Sequence, residues 1–141
     1  MQLKVKKLNS EAILPRYAHP EDAGMDFFNL EKVTFLPGEQ KRVFSGVAIE
    51  IPEGYVGLIW DKSGISFKLG LKVMGGVIDS GYRGEIIFCF LNTSNKEVVL
   101  EKGQKVAQMI IQKFEHCEIQ EVFELSDTAR GEKREGSTGD K

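Results

Sequence analysis

Short runs of β-branched and aromatic residues recur along this chain at intervals of about 8 to 12 residues, each closed by a turn signal, and that rhythm points to a sandwich or barrel. KVTFL is closed by Pro37-Gly38, and KRVFSGVAIEI by Pro52-Glu53-Gly54. GYVGLIW, EIIFCFL ending at Asn92-Thr93-Ser94-Asn95, EVVL ending at Lys102-Gly103, KVAQMIIQKF and CEIQEVF follow. Val43, Ser45, Val47, Ile49 and Ile51 alternate with exposed-type residues, as one half-buried strand should. No dozen-residue window keeps apolar positions at helical spacing beside a capping signal. At most a turn or two follows Asp61, where Ser63 could cap Ile65 to Leu69. The expected fold is all-β, a distorted jelly-roll or β-clip-like barrel of short strands with at most one short helix.

A chain of 141 residues is long enough for one domain with a core and too short for two ordinary ones. The formal net charge of −2 gives no positive field to hold nucleic acid non-specifically, so a nucleic-acid binder is not expected. MQLKVKKLNS lacks the apolar centre of a signal peptide, and no run of about 18 apolar residues occurs, so no membrane span is expected and the chain reads as soluble and cytoplasmic. Cys89 and Cys117 sit singly in strand-like runs without a CxxC pairing, and are expected to be small buried hydrophobes. The last dozen residues, RGEKREGSTGDK, hold no hydrophobic side chain and cannot join a core. A β domain over residues 1–129 followed by a flexible tail over residues 130–141 is therefore expected.

Four glycine-bearing polar segments interrupt the strands. AGMDFF places Asp26 beside aromatics, and DKSGIS offers Lys62, Ser63 and Gly64. GGVIDSGYRGEI sets Asp79 and Tyr82 in a glycine-spaced turn, and RGEKREGSTG ends the chain with Arg130, Ser137 and Thr138. Backbone N–H groups freed by glycine make anion-binding concavities, while hydroxyls and cations add donors and charge. A carboxylate in such a constellation can orient or deprotonate a water. The residues themselves thus reach an all-β domain suited to a phosphorylated small molecule, with hydrolysis as one outcome, and name neither base nor sugar.

In order and spacing these segments, with GQKVAQMI as the fourth of five, resemble the five motifs of the trimeric deoxyuridine triphosphatases, which convert dUTP to dUMP and pyrophosphate. The turns LPRYAHPEDAG, PGE and IPEGYVG extend the resemblance over nearly the whole chain. It implies a Mg²⁺-dependent homotrimer that limits uracil incorporation into DNA and supplies dUMP for thymidylate synthesis. Each site would combine motifs from neighbouring subunits, and Mg²⁺ would be held mainly by the substrate phosphates and water. Asp79 would activate the attacking water, and Tyr82 would pack under the deoxyribose and reject a 2′-hydroxyl. Gly75, Gly76, Val77 and Ile78 would pair with uracil through the main chain. Lys62, Ser63, Gly64 and Gln108 would face the triphosphate, and Asp26 would support the metal through water. The tail would close as a lid, bringing Arg130, Gly136, Ser137 and Thr138 to the phosphates.

Four positions depart from the family pattern. Lys62 stands for an arginine, Gln104 for an aspartate, Gly81 for an aspartate or asparagine, and Glu135 for the phenylalanine that stacks on uracil. Glu135 is the feature that a rival reading would cite, a non-catalytic or weakly active nucleotide-binding or regulatory protein on the same fold. The related dCTP deaminases share an Ile-Asp-x-Gly turn, echoed by Ile78 to Gly81, but their catalytic glutamate would fall at Cys89.

Overall fold

A computed structural model describes residues 1–132. The chain runs through β1 (Lys4–Lys7), β2 (Met25–Phe28), β3 (Val33–Phe35), β4 (Gln40–Glu50) and β5 (Tyr55–Asp61). The helix α1 (Ser63–Leu69) follows, then β6 (Leu71–Met74), β7 (Val77–Ile78), β8 (Glu85–Asn92), β9 (Val98–Leu100) and β10 (Lys105–Lys113). Three antiparallel sheets result, ordered β1-β4-β8-β6, β2-β10-β5-β7 and β3-β9. This is the expected jelly-roll architecture with its one short helix.

Period-2 patterning builds the core. In β8, Ile86, Phe88, Phe90 and Asn92 are buried in alternation, as side chains leaving opposite faces of a strand require. Phe27 meets Phe88 edge-on with ring centroids 5.5 Å apart, so the two larger sheets are joined by an aromatic pair. Phe35 meets Phe90 in the same manner at 6.5 Å and joins the small sheet to the first.

The expected alternation of Val43, Ser45, Val47, Ile49 and Ile51 holds, but Gly46 and Ala48 are buried as well. The cause is a bulge: β4 pairs with β8 at Phe44–Ile87 and next at Ala48–Glu85, and Gly46 takes φ +70°. A side chain at Gly46 would also press on Ala12 at 2.8 Å.

Three expectations fail in detail. Ser63 does not cap the helix: Lys62 is the N-cap residue, without a side-chain cap bond, and Ser63 is the first helical residue. CEIQEVF forms no strand, and Ile119 and Phe123 lie exposed beyond β10. Neither cysteine is fully buried, since Cys89 is half-buried and Cys117 exposed. The helix start and CEIQEVF found no cap or partner strand to complete the local pattern, whereas Cys89 is paired on both sides but leaves β8 on the face opposite Phe88 and Phe90.

Candidate active site

Asp26 sits on β2 with its side chain only 4% exposed. Lys62 Nζ pairs with Oδ1, and Lys105 Nζ stands 2.7 Å from Oδ2. Lys105 approaches outside hydrogen-bond angles, so Oδ2 is held by charge rather than by a well-aligned bond. Burial alone would raise the Asp26 pKa, but the two ammoniums outweigh it and hold the carboxyl below the usual aspartate range. With these residues, His19, Asp22, Gly24 and Gln108 line a cavity of about 500 Å³.

A bulge makes this cavity. Lys105 and Gln108 are three apart and would leave a regular strand on opposite faces. Here β10 pairs Lys105 with Phe28 and Ala107 with Phe27, two residues against one, so Val106 and Ala107 are both buried and Lys105 and Gln108 share a face. Gln108 is further fixed by donating Nε2–H to the Asp61 carbonyl at 2.9 Å. At the same corner β5 ends and α1 begins, which sets Lys62 on the cavity wall and leaves Ser63 and Gly64 exposed beside it.

The segment GGVIDSGYRGEI forms a separate structure. Gly76 takes φ +138°, accepts the Ile59 N–H on its carbonyl at 2.7 Å, and lies so close that a Cβ would sit 2.9 Å from the Ile59 oxygen. The strand pairs Gly57–Ile78 and Leu58–Val77 follow. The turn closes with Tyr82 N–H donating to the Asp79 carbonyl at 3.1 Å. Tyr82 donates its hydroxyl to the Glu85 carbonyl at 2.9 Å, and the Glu85 carboxylate in turn accepts the Gly46 N–H at 2.7 Å. Val77, Ile78, Asp79, Tyr82, Glu85 and Ile87 thereby line a cleft of about 180 Å³. Asp79 is exposed there.

Within one chain the structure brings Asp26, Lys62 and Gln108 together and, separately, Val77, Ile78, Asp79 and Tyr82; the two cavities share no lining residue. Gly75 and Gly76 border a third hollow, with Trp60 and Val73. Arg130 is exposed beyond the β domain. Gly136, Ser137 and Thr138, with Glu135, lie outside the described residues. Sequence reasoning missed Lys105, Asp61 and Glu85. Lys105 stands in a segment already singled out for Gln108, but only the bulge turns it toward Asp26.

Among the described residues no group of three or more histidine, cysteine or acidic side chains is placed to hold a metal ion. Asp26 is already committed to two ammoniums. This donor set fits a cation that arrives on a polyphosphate, with the chain contributing at most one carboxylate at second hand.

Comparison with known proteins follows the same lines. The dUTPase family model matches residues 10–139. The deoxyuridine 5'-triphosphate nucleotidohydrolase of Clostridium kluyveri is 44% identical over 141 residues, with 99% of each chain covered. The dUTPase of Staphylococcus bacteriophage 80alpha, solved with dUPNHPP, superposes with a TM-score of 0.92 at 33% identity, covering 98% of each chain. A variant dUTPase of S. aureus phage phi11, solved for the coordination of a structural Mg(II) ion, gives a TM-score of 0.85 at 29% identity, covering 90% of this chain and 100% of that one.

Proposed function

The chain belongs to the dUTPase family, and from that premise we propose that it hydrolyses dUTP to dUMP and pyrophosphate, removing a precursor of uracil in DNA and supplying dUMP for thymidylate synthesis. The observation that carries the reading is the hairpin cleft, where an exposed carboxylate, Asp79, stands beside an aromatic, Tyr82, anchored through its hydroxyl.

In this mechanism uracil lies along the main chain of Gly75, Gly76, Val77 and Ile78, and Tyr82 underlies the deoxyribose, so that a 2′-hydroxyl collides with the ring. Asp79 orients a water and takes its proton as the oxygen attacks the α-phosphorus. The bond from that phosphorus to the bridging oxygen breaks, and pyrophosphate leaves with the electron pair. Lys62, Ser63, Gly64 and Gln108 hold the triphosphate from the Asp26 cavity. Arg130 and the tail residues Gly136, Ser137 and Thr138 close on it as a lid over the β domain of residues 1–129. A Mg²⁺ carried in on the nucleotide would be held by its phosphates and water, and would supply charge neutralisation on the leaving group. Asp26 serves this site by holding Lys62 and Lys105 in place.

We further infer a homotrimer. The hairpin cleft and the phosphate-side cavity are separate in one chain, so a complete site needs the hairpin of one copy against the cavity of another. No helix among the described residues is long and apolar enough to cross a membrane, and we place the enzyme with its nucleotide substrate in the cytoplasm.

The deciding experiment is pyrophosphate release from dUTP with Mg²⁺ by the purified protein, run beside native mass spectrometry. Turnover of dUTP by a particle of three chains is expected. Absence of turnover would favour the non-catalytic reading, and a fully active monomer would overturn the shared site.

A further inference from the structure

Three contacts converge on Asp61. Its Oδ1 accepts the Val73 N–H at 2.7 Å, its Oδ2 holds the Lys72 ammonium, and its main-chain oxygen accepts Gln108 Nε2–H. The residue ends β5 in one sheet, while β6 is the edge strand of the other. Val73 pairs with Phe90 of β8 on one side, so an N–H that reaches Asp61 points off the free edge. The carboxylate therefore does for β6 what a further strand would do: it satisfies an edge donor at a buried position.

The chain on either side gives this contact its importance. Immediately after Asp61 come Lys62, Ser63 and Gly64 on the phosphate side. One residue beyond Val73, β6 ends and Gly75-Gly76 begin the hairpin that carries Asp79. We propose that Asp61 is a positioning residue, which fixes the root of the uracil-recognising hairpin with its carboxylate while its carbonyl fixes Gln108. The inference rests on the dUTPase reading and assigns a role to a residue that touches no substrate. Its two functions are separable, because a side-chain substitution removes the hold on Val73 and Lys72 but leaves the carbonyl that orients Gln108.

The test compares Asp61→Ala and Asp61→Asn with the wild type, by steady-state kinetics on dUTP and dCTP and by inhibition with pyrophosphate. Wild-type turnover of dUTP is the control: its absence sinks the dUTPase reading rather than this one. With an active wild type, Asp61→Ala should lower the dUTP-to-dCTP ratio of kcat/KM on the order of tenfold, the scale expected when a recognition element is slightly misplaced. The pyrophosphate inhibition constant should stay unchanged, since Gln108 keeps its acceptor. Asp61→Asn retains a carbonyl oxygen for Val73 and should restore the ratio to within about twofold. An unchanged ratio in Asp61→Ala, or equal damage in both variants, would overturn the proposal. If Asp61→Ala does not fold, amide exchange of the wild type decides: a Val73 N–H as slow as paired β8 amides supports the bridge, and exchange at loop rates overturns it.

Discussion

Lys105 and Asp26 stand 2.7 Å apart in a pocket where Lys62 holds the other carboxylate oxygen, so one buried anion faces two cations. With Asp22 on the same wall the formal charges of the cavity of about 500 Å³ balance, so any attraction for a polyanion comes from the two partly exposed ammoniums themselves. Asp26→Asn leaves the ammoniums facing each other across a neutral amide. Both lysines are partly exposed and can turn to water, so the expected loss is about 1–3 kcal/mol, below the usual toll of orphaning a fully buried charge. Thermal or urea unfolding measures it, and an unchanged midpoint would show that the pairs contribute nothing.

The same carboxylate sets an acid limit. Its pKa is depressed in the folded state, so the stability it adds is complete above the unfolded aspartate value of about 3.9 and is lost as pH falls through the lower folded value. The gap in midpoint between wild type and Asp26→Asn should therefore be constant from neutral pH down to roughly pH 5 and narrow only below about pH 4. A gap that closes already between pH 7 and 5 would assign it to another group.

Asp79→Asn keeps the side chain's size while removing the proton acceptor. Turnover of dUTP should fall by at least about 10²-fold, with nucleotide affinity by titration calorimetry retained. Near-normal kcat would remove Asp79 from the reaction.

Two substitutions separate the ring of Tyr82 from its hydroxyl. Tyr82→Phe loses the bond to the Glu85 carbonyl, worth at most about 1 kcal/mol at this half-exposed site, and should leave the preference for dUTP over UTP intact. Tyr82→Ala removes the ring and should narrow that preference, as read from the ratio of kcat/KM. Equal ratios in both variants and the wild type would exclude the sugar gate.

Gly76→Ala meets both a left-handed backbone and the Ile59 carbonyl, 2.9 Å from the new Cβ. Relief requires the hairpin to leave β5, so a cost of about 1–3 kcal/mol and a raised KM for dUTP are expected together. A raised KM at unchanged stability would mean that the glycine serves substrate access alone.

The fold was legible where the pattern is local. Ile86, Phe88 and Phe90 announce β8 by alternation alone, and the turns at Pro37-Gly38 and Pro52-Glu53-Gly54 bracket the longest strand. The short strands β6 and β7 were not, because LKVM and VI are too brief for a period to declare itself and are held by β8 and β5. At the site, the motif residues Asp26, Lys62 and Gln108 meet as their order suggested. Lys105 escaped notice because a bulge inverts the face rule that would place it, and a bulge without glycine leaves no mark in sequence. Asp61 escaped because an edge N–H that needs an acceptor exists only once the sheet has formed.

The separation of the two cavities within one chain has a genetic consequence. If every complete site joins the hairpin of one copy to the phosphate side of another, a defect in Asp79 and a defect in Lys62 lie in different halves of the site, and each chain can supply what the other lacks. Two inactive proteins, Asp79→Asn and Lys62→Ala, should then complement each other when unfolded, mixed in equal amounts and reassembled. Random mixing gives ~1/4 of the sites an intact half from each parent, and activity should recover to about that fraction of the wild type. A damaged allele would thus be rescued by one damaged elsewhere, which is impossible for an enzyme whose site belongs to a single chain.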